Sequence, residues 1–421
     1  MSGSILPTDV LRKKKMLILL CGMVIFFLTS MAKVLIPATI FADLQKMGMS
    51  VDRIASLGSA FLYAYAASQL VMGCFSDRYG GVRILLIGGS IFAGGTIAFP
   101  LMENYYLMIL LRVITGFGAG TIFLGVAKLL GDLFSAKFSM ALGTVLLFSY
   151  LGPTTGTVPM VKLVELIGWR AAMITPGAVA MVPLILILCF MRGTITPVTR
   201  GQTLEPLFIT VKNPFIWCIS FGCATVYGSY YGLVGQIGQK IFTDLYGLAS
   251  SKAALCIMAL TIIVAANNMV VNLMLKLFGE RRKAVILCGV ALSFAGVLLG
   301  KYVFAASAGV VCFMIAAVMI AFPAGFFPMF STVAKELNPE RYTAMSVAVL
   351  NFMAFVFISS YQNIVGFILK SYPPQPGSLA FPIEAYSAVF NFFIIGAIIS
   401  TIAALLVPET RGRAVQEGGW D

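Results

Sequence analysis

The sequence has no histidine. Without one, no Ser/His/Asp set can be assembled and no imidazole can ligate a metal or shuttle a proton. Charge is scarce: 11% of residues are charged, against about 25% in an average soluble domain. Carboxylates are scarcest, with 16 Asp and Glu against 29 Lys and Arg and a net charge of +13. No pair of carboxylates falls within an apolar run, and no nucleotide-binding loop is present, which argues against an enzyme and against ATP-driven work. The eight cysteines (Cys21, Cys74, Cys189, Cys218, Cys223, Cys256, Cys288, Cys312) lie in or at the edge of apolar runs with no C-x-x-C spacing. They read as small packing residues, not as disulfide or metal ligands. No cofactor is expected.

Apolar residues are abundant, at 60% of the 421-residue chain. No soluble packing hides that much apolar surface, so the expected solvent is a lipid bilayer, where a spanning helix needs about 20 apolar residues. Twelve runs qualify, give or take a few residues at each end: 16–43, 54–75, 84–102, 105–131, 139–163, 170–191, 215–239, 252–274, 284–303, 308–334, 342–370 and 385–407. The longest internal polar link, 192–214, divides them into two sets of six. The expected organisation is a first bundle over 1–191, a cytoplasmic link over 192–214, and a second bundle with a short tail over 215–421. The fold class is all-α and integral to the membrane.

Orientation follows from the Lys and Arg residues, which cluster in the links. With the N-terminus inside, those on the N-terminal side outnumber those on the opposite side by more than two to one. Both termini are therefore expected in the cytoplasm of a plasma membrane, bacterial inner membrane being the natural assignment. The basic balance is a topology signal and not a nucleic-acid-binding one. The halves also echo each other: Val126-Ala127-Lys128 closes the fourth run and Val333-Ala334-Lys335 the tenth. Two such repeats imply a pseudo-two-fold axis along the membrane normal, with a site between the halves.

The most distinctive polar stretch joins the second and third runs: Gly73, Asp77, Arg78, Gly80 and Arg83 in the pattern G-x-x-x-D-R-x-G-x-x-R. It resembles the loop signature of the major facilitator superfamily, departing from it at Gly81, where that family usually has Arg or Lys. Arg112, Gly116 and Gly118 resemble its fourth-span pattern. Gly152, Pro153 and Gly156 resemble part of a fifth-span antiporter pattern. Gly168-Trp169-Arg170 and Pro408 to Gly412 are similar to further family segments. The resemblance implies two six-helix bundles that rock about a central site. It also implies gating roles for Gly73, Asp77, Arg78, Gly80, Arg83, Gly152, Pro153 and Gly156, with Asp77 latching onto the positive N-terminus of the eleventh span. The corresponding turn of the second half, Asn272 to Arg282, lacks the Asp.

Two cations fall inside spans. At 1.5 Å per residue, Lys33 lies about 15 Å below the outer end of the first span and Arg112 about 10 Å below the same surface. A charge at mid-membrane costs at least ~2.5 kcal/mol and marks a functional site by default. The alternatives stay open: Lys33 could snorkel to the interface, and Arg112 could bond backbone carbonyls of the first span. All 16 acids lie in links or near span ends, so neither cation has a carboxylate partner in the sequence. The simplest partner is an anionic small molecule. Tyr227, Tyr230, Tyr231 and Gln236 on the seventh span, Asn267 on the eighth and Asn351 on the eleventh are candidates to complete its site, or to bond between helices. Gly228, Gly232, Gly235 and Gly238 could permit close packing or soften the outer half of span seven, and Pro323, Gly325 and Pro328 could bend span ten.

In related anion–proton symporters an Asp often precedes the first-span cation, and here Ala32 stands there. Exchange, uniport and sodium coupling are left open. The reading is a secondary transporter of a small organic anion working by alternating access, monomeric in the bilayer. The other readings are a drug or metabolite efflux antiporter of the same family, and a transporter-like membrane sensor.

Overall fold

The computed structural model describes residues 8–79, 81–133, 138–149, 151–191, 205–339, 343–374 and 379–412, some of them by backbone alone. Among these residues the chain is helical, with no strand. Among the described residues nine helices are long and apolar enough to cross a membrane: Val51–Met72, Gly81–Leu101, Tyr105–Leu130, Trp169–Phe190, Ser250–Asn267, Arg282–Ala305, Val310–Glu336, Met345–Lys370 and Ile383–Leu406. Three more passes are assembled from shorter pieces, which completes the twelve. This is a multi-pass membrane protein.

The composite passes are the first, fifth and seventh. The first runs from Thr8 to Ala32 and resumes over Leu35–Thr39 and Phe41–Lys46. Pro37 has no N–H to give to the carbonyl four residues back, at Lys33, and the break falls at Lys33 and Val34. The fifth is divided into Phe138–Ser149, Leu151–Thr155 and Val158–Ile167. Pro159 stands at the start of its last piece, just after the interruption at Gly156 and Thr157. The seventh carries a π-helical turn, Leu233–Ile237, between Pro214–Gly232 and Gly238–Asp244.

The tenth pass, though long enough, contains a 3-10 segment at Phe322–Phe326. Pro328 leaves the Ala324 carbonyl without its helical donor, and the Tyr227 hydroxyl donates to that oxygen at 2.5 Å. Asn267 donates likewise to the Phe322 carbonyl at 2.5 Å. Buried backbone groups need partners, so these two side chains hold the bend.

The fourth pass, Tyr105–Leu133, starts where Asn104 accepts hydrogen bonds from the amides of Tyr106 and Leu107. It lies against the second and third passes at backbone distance. A Cβ at Gly116 would stand 2.2 Å from the Phe61 carbonyl oxygen, and one at Gly118 would stand 2.6 Å from that of Gly88. Only glycine allows this approach.

The link expected over 192–214 is helical from Glu205 to Lys212. That helix is tied to the second half. Asn213 caps the seventh pass through the Phe215 amide and donates to the Leu337 carbonyl at 2.6 Å, and the Trp217 indole donates to the Val211 carbonyl. Residues 192–204 lie outside the described residues.

The passes run alternately up and down, so the turns fall at two ends. The odd-loop end carries residues 47–50, 102–104, 168, 245–249, 306–309, 371–374 and 379–382. The even-loop end carries the other turns among the described residues. At the even-loop end of the second half, Arg282 pairs with Glu336 at 3.3 Å and Glu280 at 2.7 Å. The Glu409 carboxylate accepts from the amides of Arg282 and Lys283, and Thr410 donates to Glu336. The turn that lost its Asp is thus clasped by carboxylates from the tenth and twelfth passes.

Candidate functional site

A central cavity of about 180 Å³ lies between the halves. Ser30, Lys33, Tyr65, Gln69, Ser149 and Pro153 line it from the first half, and Tyr227, Tyr230, Tyr231, Asn351 and Phe355 from the second. Lys33 sits at the break in the first pass, where the chain leaves regular helix. Its ammonium lies 4.3 Å from the Tyr65 ring centroid and 4.9 Å from that of Phe355. These two rings meet edge to face, 4.7 Å apart. The cation therefore touches both halves at once. Its Nζ is 3.2 Å from the Tyr65 hydroxyl, which also takes a hydrogen bond from Gln69 at 2.9 Å. No carboxylate is among the described residues lining the cavity.

Arg112 is not brought to this cavity. Its Nε donates to the Leu57 carbonyl at 3.0 Å, and its guanidinium lies 4.4 Å from the Phe61 ring centroid and 5.7 Å from that of Phe99. It is 4% exposed. The side chain braces the second pass against the fourth.

The other candidates divide in the same way. Tyr227, Tyr230, Tyr231 and Asn351 face the cavity, as does Pro153. Gln236 lines a separate hollow of about 500 Å³ near the odd-loop end, with Thr39 and Lys240 among its walls, and donates to the Gln362 carbonyl. Asn267 is spent on the Phe322 carbonyl. Gly152 and Gly156 pack the fifth pass onto the broken stretch of the first: a Cβ at Gly152 would lie 2.5 Å from the Phe27 carbonyl oxygen, and the Gly156 carbonyl accepts from Thr39 at 2.6 Å. Gly73, Asp77 and Arg78 continue the helix Val51–Tyr79, and Arg83 is exposed in the next. The side chains of 73–79, Asp77 and Arg78 among them, and the whole of Gly80 lie outside the described residues.

Tyr65, Gln69 and Phe355 were not foreseen as site residues. Tyr65 and Gln69 are four residues apart and so share one helix face, a spacing the sequence offered inside an otherwise apolar run.

At the odd-loop end the halves are joined along the second and eleventh passes. Lys370 meets Asp52 at 3.0 Å, Ser59 donates to Asn363 at 2.7 Å, and the hydroxyls of Tyr63 and Ser360 are 2.9 Å apart. A Cβ at Gly366 would come within 2.5 Å of the Ala55 Cβ. On the other side of the cavity Thr154 and Thr261 join the fifth and eighth passes at 3.1 Å.

A cavity walled by both halves of a helical repeat, with broken passes around it, is a carrier's geometry, and the comparisons agree. The family model of the Major Facilitator Superfamily matches residues 18–360. The chain belongs to this superfamily. Membership places it among membrane transporters rather than enzymes. Two solved superfamily structures share its fold. A bacterial homologue of the human lysosomal transporter Spinster has a TM-score of 0.74 at 15% identity, covering 93% of this chain and 97% of its own. The nucleoside transporter NupG has a TM-score of 0.72 at 13% identity, covering 94% and 99%. In sequence, the chain is 27% identical over 138 residues to the "Probable sulfoacetate transporter SauU" of Cupriavidus necator, which is 32% of each chain. It is 25% identical over 199 residues to the "Multi-drug resistance efflux pump PmrA" of Streptococcus pneumoniae, covering 45% of this chain and 49% of that one. It is 25% identical over 173 residues to the "Probable anion transporter 4, chloroplastic" of Oryza sativa, covering 40% and 29%. The matched segments thus span between about a third and a half of these relatives.

Proposed function

We propose that this protein carries a small organic anion across a bilayer by alternating access. One observation carries the reading: Lys33 presents a positive charge to a cavity shared by both halves, and no carboxylate is among the described residues that line it. An enclosed cation without a counter-charge is unfavourable, and an anionic cargo supplies the charge. The resemblance to proteins named as sulfoacetate and anion transporters supports this cargo class.

In this reading residues 1–191 and 215–421 are the two moving bodies and 192–214 the link. The excess of basic residues at the even-loop end places that end, with both termini, in the cytoplasm of a plasma membrane. The Asp52–Lys370 seam is then the extracellular gate, and it is closed. Asp77 opposes it as the cytoplasmic latch. The carrier acts as a monomer.

The test is a thermal-shift screen of the purified protein against sulfoacetate, glycerate and gluconate, followed by counterflow in proteoliposomes. The expected result is stabilisation by at least one anion that disappears in Lys33→Ala. Stabilisation by hydrophobic cations alone, surviving that substitution, favours the second reading, a drug efflux antiporter. The apolar and aromatic walls of the cavity and the similarity to an efflux pump support that alternative.

A further inference from the structure

The surroundings of Lys33 carry a consequence for what moves with the anion. Around its ammonium stand Tyr65 and Gln69 of the second pass, Tyr227, Tyr230 and Tyr231 of the seventh, and Phe355 of the eleventh. The first pass adds Ser30, the fifth Ser149 and the fourth Phe123. Among these described residues the titratable groups other than Lys33 are the four tyrosines, and no second charge faces the amine. A carrier that moves its anion in net fashion, rather than by exchange, must bring this cavity back empty. An ammonium enclosed alone is then costly, and the two aromatic faces offset only part of that cost.

The hydrogen bonds at Lys33 suit both forms of the amine. The Tyr65 hydroxyl is 3.2 Å from Lys33 Nζ and 2.9 Å from the Gln69 amide. A phenol has one hydrogen to give and lone pairs to accept with, and an amide can present either end. When Lys33 is protonated, Nζ donates to Tyr65 Oη and the hydroxyl donates to Gln69 Oε1. When Lys33 is neutral, Gln69 Nε2 donates to Tyr65 Oη and the hydroxyl donates to the Nζ lone pair. Both arrangements keep two hydrogen bonds, and only a hydroxyl and an amide turn between them. Turning the amide breaks nothing, because its other end, Oε1, is buried without a partner among the described residues.

We propose that Lys33 is a proton carrier as well as the counter-charge of the cargo. It binds the anion as an ammonium and returns through the empty state as an amine. On release the anion departs, an N–H bond of Lys33 breaks and the proton passes to water. On loading the amine takes a proton from water on the opposite side. The N–H electron pair stays on nitrogen, and nothing is oxidised or reduced. Anion and proton cross together, without any intramembrane carboxylate. Tyr65 and Gln69 are positioning residues for this transfer. The proposal rests on the anion-carrier reading.

The test uses the full-length protein in proteoliposomes with a pH-sensitive dye inside, the membrane potential clamped, and sulfoacetate, glycerate or gluconate outside. The expected result is internal acidification in proportion to net anion uptake. Lys33→Arg keeps a charge that does not dissociate. It is expected to lose acidification and net uptake while anion-for-anion exchange persists at a reduced rate. Tyr65→Phe keeps the ring and removes the relay, and is expected to slow net uptake more than exchange and to shift its pH profile. Gln69→Leu is expected to act in the same direction. Anion uptake without acidification in the wild-type protein overturns the coupling and leaves the anion carrier standing. Acidification that persists in Lys33→Arg also overturns it. Absence of exchange with all three anions overturns the anion-carrier reading, and the coupling with it.

Discussion

Lys33 and Arg112 are two buried cations of the first half, and they do different work. Arg112 is held by the protein itself, through one backbone carbonyl and the faces of two phenylalanines, with its Nη2 buried without a partner among the described residues. Lys33 is held by aromatic rings and one hydroxyl at the edge of a cavity. One cation is placed where nothing has to enter. The other is placed where something does. A charge inside a membrane therefore becomes informative only once its direction around the helix is known, and depth alone does not supply that.

The contrast can be broken by experiment. The largest effect is expected at Lys33. Removing one partner of a desolvated charge pair costs about 2–5 kcal/mol, so Lys33→Ala should cut anion uptake about a hundredfold while leaving the melting temperature of the empty protein unchanged or higher. Loss of the fold in this variant would show that Lys33 is a structural cation. Arg112→Ala should do the reverse. Losing its packing and its bond to Leu57 is expected to lower stability by about 2–4 kcal/mol, read as a lower melting temperature, while the protein that folds still shows the anion-dependent shift. An Arg112→Ala protein of normal stability that no longer binds anion would erase the distinction. Smaller effects are expected at the seam. Lys370→Ala should weaken the closed odd-loop end by about 1 kcal/mol or less, as for a partly exposed pair. Distance measurements between spin labels in the odd loops should then show a larger open population. The smallest change in transport is expected for Tyr227→Phe, which takes the donor from the Ala324 carbonyl and should lower stability by about 1 kcal/mol with the anion response retained.

Much of the architecture was legible. Apolar runs and charge scarcity gave the membrane fold, and the G-x-x-x-D-R-x-G-x-x-R pattern gave the family. Pro323, Gly325 and Pro328 marked the bend in the tenth pass. The glycines of the seventh left close packing or a soft segment open, and Gly228 and Gly232 do pack closely against Tyr361 and Phe393. The π-helical turn at Leu233–Ile237 was not foreseen. Other features were not legible for physical reasons. The first run was taken as one span over 16–43, although Pro37 withholds a donor from the Lys33 carbonyl and the helix breaks there. Where a helix breaks, the angular direction of later side chains no longer follows from counting, so Lys33 and Arg112 could be matched in depth but not in facing. The link was read only as a polar connection, and the helix over residues 205–212 was not seen in it, because Asn213, just beyond its end, is anchored by a contact with Leu337, distant in sequence. Tyr65 and Gln69 were hidden because the second run is otherwise apolar, and a search for charge passes over a tyrosine and an amide.

The seam between the second and eleventh passes has a thermodynamic consequence. Toward the odd-loop end, beyond the Tyr65–Phe355 contact, it is stitched by hydroxyls, an amide and one ion pair. Groups of this kind find water as readily as they find each other, so parting them exchanges one set of hydrogen bonds for another at little net cost. An oily seam of the same area would favour closure strongly and stall the machine in one state. A wettable one leaves the two states nearly level, so that a ligand's modest preference between them is enough to decide which is populated.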